Sequence, residues 1–439
     1  MIYLHFRDLR IQDNPVLDTY SDIKPVYIYD EETESFYGER YKSLLQSSLL
    51  QLQETYQEHD IHLHIIEGSF RETVDMLLQK EEVVMVQQAN HPRIIEIQKD
   101  FDITLIEDIP LEIDTAEEGN QRIDTYFSQD VQNPSISASE PLEIQDITFP
   151  KQSEKTSLSF YKKRVRLLKS TLQDYPRIIS KPYPAEQRTS RISHLLSLGR
   201  VSLRQAYKDI EKIDSSSILL NRLKWNIRFK QKMWNNPMLH KKPLNPYFEQ
   251  HSYYQKNAEK IQAWKQGKTG YPLVDASIRA LNKTGYINFR MRAMIATFFT
   301  HILKQPWWIG ADYMHKQLID AEPAINYYQW QMQSGCIGSH PLRIYNPVKQ
   351  HKENDTQSKF VKKYLPEIRE LEEPEIYMPW KPTLRRMKPQ DKRVCVHEEE
   401  ARKTREWYSK RYEKIQNTLQ ENQSTLLLSQ QSKDRLNTQ

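Results

Sequence analysis

The chain has 439 residues, 38% of them hydrophobic and 28% charged, and its net charge of +5 hides two halves of opposite sign. Residues 1–150 carry 10 Lys and Arg against 31 Asp and Glu, a balance of −21, which leaves +26 on residues 151–439. Two cysteines, Cys336 and Cys395, exclude a four-thiolate zinc or iron–sulfur site, and no apolar run approaches membrane-spanning length, so a cytoplasmic, reduced setting is expected.

Five short β-branched or aromatic runs predict strands: IYLHF from Ile2, PVYIYD from Pro25, HLHII from His62, VVMVQ from Val83 and ITLIE around Thr104. Between them Tyr41–Tyr56, Phe70–Leu78 and Ile94–Lys99 space their apolar residues three and four apart, as helices do. That order predicts an α/β domain with a doubly wound parallel sheet over residues 1–110, although the GxGxxG dinucleotide fingerprint is missing. Residues 111–157 are acidic and weakly periodic, and read as a surface connector. Strand signals then almost vanish, which predicts an all-α domain over 158–418 and, from its Gln and Ser content, a disordered tail over 419–439.

RTSRISHLLSLG places Thr189, Ser190 and Ser193 at the start of a short apolar helix that Gly199 can end. Hydroxyls and free amides there suit a phosphate, although for this motif alone plain capping is the favoured reading. Farther on, Met291, Met294, Ile295, Phe298 and Ile302 form one helical stripe with Arg292 at its margin. A guanidinium drawn into such a face needs a carboxylate, and Asp320 and Glu322 are the nearest acidic loop in sequence. Trp307, Trp308 and Trp330 flank that loop, with Tyr253, Tyr254 and Trp264 before it; each is core by default, and together they suit an enclosed redox site.

Lysines and arginines interleave with aromatics at Lys224, Trp225, Arg228, Phe229, Lys230 and Lys232, and again at Lys359, Phe360, Lys362, Lys363 and Tyr364. Such segments bind backbone phosphates while rings stack on bases, or they are solvated helix faces. With +26 on that part of the chain, nucleic acid is the expected partner, the alternative being neutralisation between the two halves. HExxH, GxSxG, Walker and kinase signatures are all missing, and the thirteen histidines show no metal-ligand spacing.

These runs, in this order, resemble the DNA photolyase and cryptochrome flavoproteins. The resemblance covers Met1 to Ile415 and rests on HFRDLRIQDNPVL from His5, then TSRIS, GKTGYPLVDASIRAL, NFRMRAM, LIDAE, Asn326, Trp330 and RIYNP. It implies a noncovalent FAD in the helical domain and a light-driven reaction, electron transfer from photoexcited reduced FAD to a flipped pyrimidine dimer in single- or double-stranded DNA. By motif position Thr189, Ser190, Arg191, Ile192 and Ser193 would cradle the pyrophosphate, with Tyr175 at an unusual distance from that motif. Arg292 and Asp320 would form an ion pair beside the isoalloxazine, Glu322 would sit nearby and Asn326 would face flavin N5.

The same resemblance makes Trp330, Trp307 and Tyr254 an electron relay, with Tyr254 where a tryptophan is usual and Trp308 able to substitute. Trp225 matches the ring on which a flipped dimer stacks, with Arg222, Arg290 and Met332 around it. Arg222 stands where a glutamate is expected, Phe289 for an asparagine, Ala293 for a methionine and Met332 for a second tryptophan. Those departures favour a cryptochrome-like photoreceptor that signals through flavin redox change, while Asn326 and Trp225 favour repair. A monomer is expected, with an antenna chromophore of unknown identity as a further ligand of the N-terminal domain.

Overall fold

The computed structural model describes residues 1–113, 115–137, 139–150, 156–246, 253–337, 342–381, 393–413 and 415. The predicted tail lies outside this set. All five predicted strands form, as β1 (Ile2–His5), β2 (Lys24–Tyr29), β3 (His64–Glu67), β4 (Val83–Val86) and β5 (Thr104–Ile106). They make one parallel sheet in the order β3-β2-β1-β4-β5. Both faces are covered, so alternate residues along one strand enter different cores: Ile2 and Leu4 pack with Phe70, Val74 and Ile94, and Tyr3 packs with the opposite cluster.

The predicted helices appear as Glu39–Gln57, Phe70–Leu78 and Pro92–Asp100. The connector is a correction: it contains a helix, Ala116–Ser128, whose Ile123, Tyr126 and Phe127 are buried. Its apolar residues fall in only two turns among acidic neighbours, too short a stripe to stand out by period. From Leu158 onward every element among the described residues is helical.

The HFRDLR run welds the sheet to the helices. Asp8 accepts from the Phe6 amide at 2.8 Å, and Arg7 is buried against Glu34 at 2.8 Å. Arg200 donates to the Leu9 carbonyl at 2.7 Å and Arg204 pairs with Asp13 at 2.9 Å. Gly199 lies between these contacts with φ +68°, and a Cβ there would sit 2.0 Å from the Arg7 carbonyl oxygen, so glycine is required twice over. Lys224 also reaches Asp124 at 2.6 Å, so part of the opposite charge on the two halves is neutralised between them.

Among the described residues one group could hold a metal ion, His62, His64 and Asp146, which the spacing of histidines in the sequence does not reveal. His64 Nε2 accepts from the Leu142 amide at 3.0 Å, which leaves the proton on Nδ1, facing Asp146 at 3.1 Å. Asp146 also accepts from the Ile65 amide at 3.1 Å, so the arrangement is that of a clamp holding residues 142–146 on the edge of β3.

Candidate flavin and nucleic-acid site

The centre of the helical part is a carboxylate held from two sides. Asp320 lies in the loop between the helices Trp307–Gln317 and Pro323–Gln333, and Arg292 comes from the helix Phe289–Thr297. Arg292 donates through one terminal nitrogen to both Asp320 oxygens at 3.0 Å and through Nε to the Ile287 carbonyl at 3.0 Å. Ser193 Oγ donates to Asp320 at 2.6 Å. Burial pushes this carboxyl up, but Arg292 and Ser193 outweigh it and hold Asp320 below the usual carboxylate range. The expected pairing of Arg292 with the acidic loop is therefore present, and the participation of Ser193 is new.

Glu322 goes elsewhere. It pairs with Lys230 at 3.6 Å, and burial raises its carboxyl more than Lys230 lowers it. One oxygen of Glu322 is buried without a hydrogen-bond partner, as is Asn326 Oδ1, while Asn326 Nδ2 donates to the Ala311 carbonyl at 3.1 Å. Lys230, read from sequence as a phosphate contact, is thus inside the protein. Its helix, Ile218–Asn235, turns that flank toward the Glu322 loop.

The TSRIS run ends one helix and begins another. Thr189 Oγ donates to the Ala185 carbonyl at 2.7 Å, and Tyr175, whose spacing is unusual, places its hydroxyl 3.4 Å from Ser190 Oγ. Arg191 stacks over Tyr286 at 3.6 Å and Ile192 is buried. Tyr286 lies just before the NFRMRAM run, and nothing in its spacing singles it out. The helix Ser193–Ser197 is closed by Gly199 as expected.

The stripe Met291, Met294, Ile295, Phe298 and Ile302 is buried, and at Phe298–Ile302 its helix widens into a π-helical turn. GKTGYPLVDA forms a turn lock: Asp275 accepts from the Thr269 and Gly270 amides at 2.7 and 2.9 Å, where Gly267 and Gly270 have positive φ. Trp330 is buried against Trp264 and Phe299, with ring centres 6.1 and 6.0 Å away. Trp307 meets Trp308 at 6.0 Å, and Trp308 meets Tyr254 at 6.3 Å, so Trp308 is the ring that joins Trp307 to Tyr254. The indole nitrogens of Trp307 and Trp330 are buried without partners.

Trp225 is 44% exposed and Phe289 37% exposed, so both rings stand open to solvent. Arg228 covers Trp225 at 5.0 Å, and Arg222 covers Phe289 at 4.5 Å. Arg290 reaches both Phe289 and Tyr345, at 5.4 and 5.9 Å, and Met332 is half-buried. The second basic and aromatic segment is a correction. Phe360 and Tyr364 are core residues, while Lys362 and Lys363 pair with Glu372 and Glu186 at 2.9 and 2.6 Å.

Comparison with known proteins identifies two matching domains. Residues 219–421 match the FAD binding domain of DNA photolyase, and residues 1–104 match the DNA photolyase domain. The chain is 33% identical over 218 residues to a deoxyribodipyrimidine photo-lyase of Vibrio cholerae, and 34% identical over 208 residues to that of Escherichia coli. These stretches are 48% and 45% of this chain and 46% and 44% of the relatives, so the chain spans about half the length of the curated relatives it matches. In fold it is similar to an archaeal photolyase from Sulfolobus tokodaii with two FAD molecules, with TM-score 0.77, 23% identity and coverage of 93% of this chain and 99% of that one. A Synechocystis cryptochrome is equally similar, with TM-score 0.77, 20% identity and coverage of 92% and 98%.

The residues present fit FAD. The anionic Asp320, the orphaned Asn326 Oδ1 and the partly exposed Arg292, its side chain 24% accessible, are a polar edge that a flavin ring can complete inside an apolar, aromatic enclosure. With two domain matches covering both ends of the fold, and with Arg292, Asp320 and Asn326 inside the FAD-binding one, the chain belongs to the DNA photolyase and cryptochrome family of flavoproteins.

Proposed function

We propose that the protein is a light-driven DNA repair flavoprotein of the deoxyribodipyrimidine photo-lyase type, acting on a pyrimidine dimer turned out of its strand. FAD, when bound, supplies the light-absorbing one-electron redox centre. Arg292 and Asp320 hold a fixed ion pair at that centre, Ser193 orients the carboxylate, and Asn326 offers Oδ1 as an acceptor. Thr189, Ser190, Arg191, Ile192 and Tyr175 form the pyrophosphate side. Trp330 and the ring series Trp307, Trp308 and Tyr254 are the path by which an electron is drawn from the surface. Burial holds the Tyr254 phenol well above its ordinary pKa, so it keeps its proton and is a slow donor.

The observation that carries repair is Trp225: a large indole left open to solvent, with a guanidinium beside it, is a stacking platform for an unpaired base. One observation favours the second reading, a cryptochrome-like photoreceptor that signals through flavin redox change. Arg222 lies over Phe289 where the family pattern has a glutamate and an asparagine, so the mouth of the pocket lacks those two dimer contacts. Illumination of the reduced protein with dimer-containing single- and double-stranded DNA separates the two. Restored pyrimidines are expected; their absence, with flavin bound and photoreducible, establishes the photoreceptor.

A further inference from the structure

A second basic and aromatic surface lies beyond the pocket at Trp225. A cleft of about 620 Å³ opens between the start of the helix Pro347–Asn354 and residues 378–381 and 393–398, lined among the described residues by Lys349, Lys352, Lys381 and Arg393 and by the carboxylate of Glu398. Trp380 forms its aromatic wall, with the Arg393 guanidinium stacked on it at 4.6 Å. Lys349 is 70% exposed in its side chain and pairs only at 3.8 Å with the exposed Glu353 one turn on, and Lys352 lies 5.6 Å from the Tyr377 ring. Four cations around an indole are a poor lining for an apolar ligand and a good one for phosphate with a base attached.

The cleft also continues the surface already described. Arg222, Trp225 and Arg228 are three residues apart on one helix and therefore share a face. Arg222 covers Phe289, and Arg290 bridges Phe289 to Tyr345. The residue after Tyr345 is Asn346, which lines the cleft, and the Tyr345 carbonyl is 3.0 Å from Nε2 of His397, the residue before Glu398 of the lining. Cations and rings thus alternate from Trp225 to Tyr345, at the edge of the cleft.

We propose that the cleft at Trp380 is a second nucleic-acid subsite, in which Lys349, Lys352, Lys381 and Arg393 take backbone phosphates of a single strand and Trp380 stacks on one of its unpaired bases. The inference deepens the proposed function, on which its continuity with Trp225 rests. The strand leaving the Trp225 pocket would be held unpaired for several nucleotides, and that makes single-stranded DNA, or a locally opened duplex, the substrate class.

The test is the affinity of the full chain for a 20-nucleotide oligothymidylate, measured by fluorescence anisotropy across a salt series. K349E/K352E changes only solvent-facing side chains; it is expected to weaken binding about tenfold and to flatten the slope of log K against log salt by about 1. W380A is expected to weaken binding about tenfold with the slope unchanged, because it removes stacking and no charge. Trp380 also packs on Tyr271 at 5.1 Å, so the lysine variant decides if W380A fails to fold. The same charge change at the exposed Lys162 and Lys163 is the control.

Binding by K349E/K352E within twofold of wild type, or an equal loss in K162E/K163E, overturns the subsite. Flavin content of the same samples keeps the two ideas apart. A colourless wild-type protein sinks the repair reading, and the subsite is then judged on the binding curves alone.

Discussion

Ser193 donates its hydroxyl to Asp320 at 2.6 Å, joining two runs that lie 127 residues apart in the chain. The same carboxylate takes Arg292, so the loop that begins the helix Ser193–Ser197 and the helix that carries Arg292 meet at one anion. Any change at Asp320 is therefore felt on both sides of the proposed flavin site.

Arg292→Ala is expected to strip the protein of flavin. It strands a buried Asp320, and breaking such a pair costs about 3–5 kcal/mol when both partners are fully buried. The Arg292 side chain is 24% accessible, so the lower end is expected. The ratio of visible to ultraviolet absorbance of the purified variant measures it, and full flavin retention would count against the assigned site.

Trp330→Phe is expected to slow photoreduction while leaving FAD in place, because Trp330 contributes a ring and its indole nitrogen has no hydrogen-bond partner. Time-resolved absorbance under blue light gives the rate. An unchanged rate would place the relay on other rings.

Trp225→Ala should lower affinity for dimer-containing DNA by about tenfold, the loss of one stacked base, with flavin content unaltered. The ring is 44% exposed, so its removal leaves no cavity to destabilise the fold. Equal affinity of variant and wild type in a titration at fixed salt would remove Trp225 from the substrate surface.

Stability should fall as the pH drops from 7.5 to 5. Burial depresses His301 to about 4, His315 to about 3 and His351 to about 3, so all three stay neutral in the folded chain while the unfolded chain binds protons below about 6.5. Each then removes about 1.4 kcal/mol per pH unit until its folded pKa is reached. Asp275 acts in the opposite sense, since burial raises it to about 6 and the folded chain binds that proton first. Burial also raises Asp18, Asp312, Glu322 and Asp355, but it lowers His64, His91, His240 and His397 as well, and among the described residues seven imidazoles against five carboxyls leave a net loss. A thermal midpoint that is higher at pH 5 than at pH 7.5 would contradict this balance.

Gly38→Ala should destabilise the contact between the sheet domain and the helix Trp307–Gln317. A Cβ at Gly38 would lie 1.7 Å from the Lys316 carbonyl oxygen, so the two backbones must separate. A lowered melting temperature, with retained secondary structure by circular dichroism, is the expected outcome; a melting temperature equal to wild type would show that the junction opens freely.

The five strands and the helix Phe70–Leu78 were legible in the sequence because burial on both sheet faces or along one helix face imposes its period on local residues. So was the need of Arg292 for an acid, since a charge in an apolar stripe requires one. The residues by themselves left Asp320 and Glu322 open, and the family resemblance named Asp320; that Ser193 joins the pair and that Glu322 takes Lys230 was decided only when loops far apart in sequence closed on one another. Composition likewise announced a cationic half, but it could not separate inward lysines such as Lys230 and paired ones such as Lys363 from those left around Trp380. A basic residue next to an aromatic reads the same in either setting, and only the packing of one helix against the next determines which side faces water.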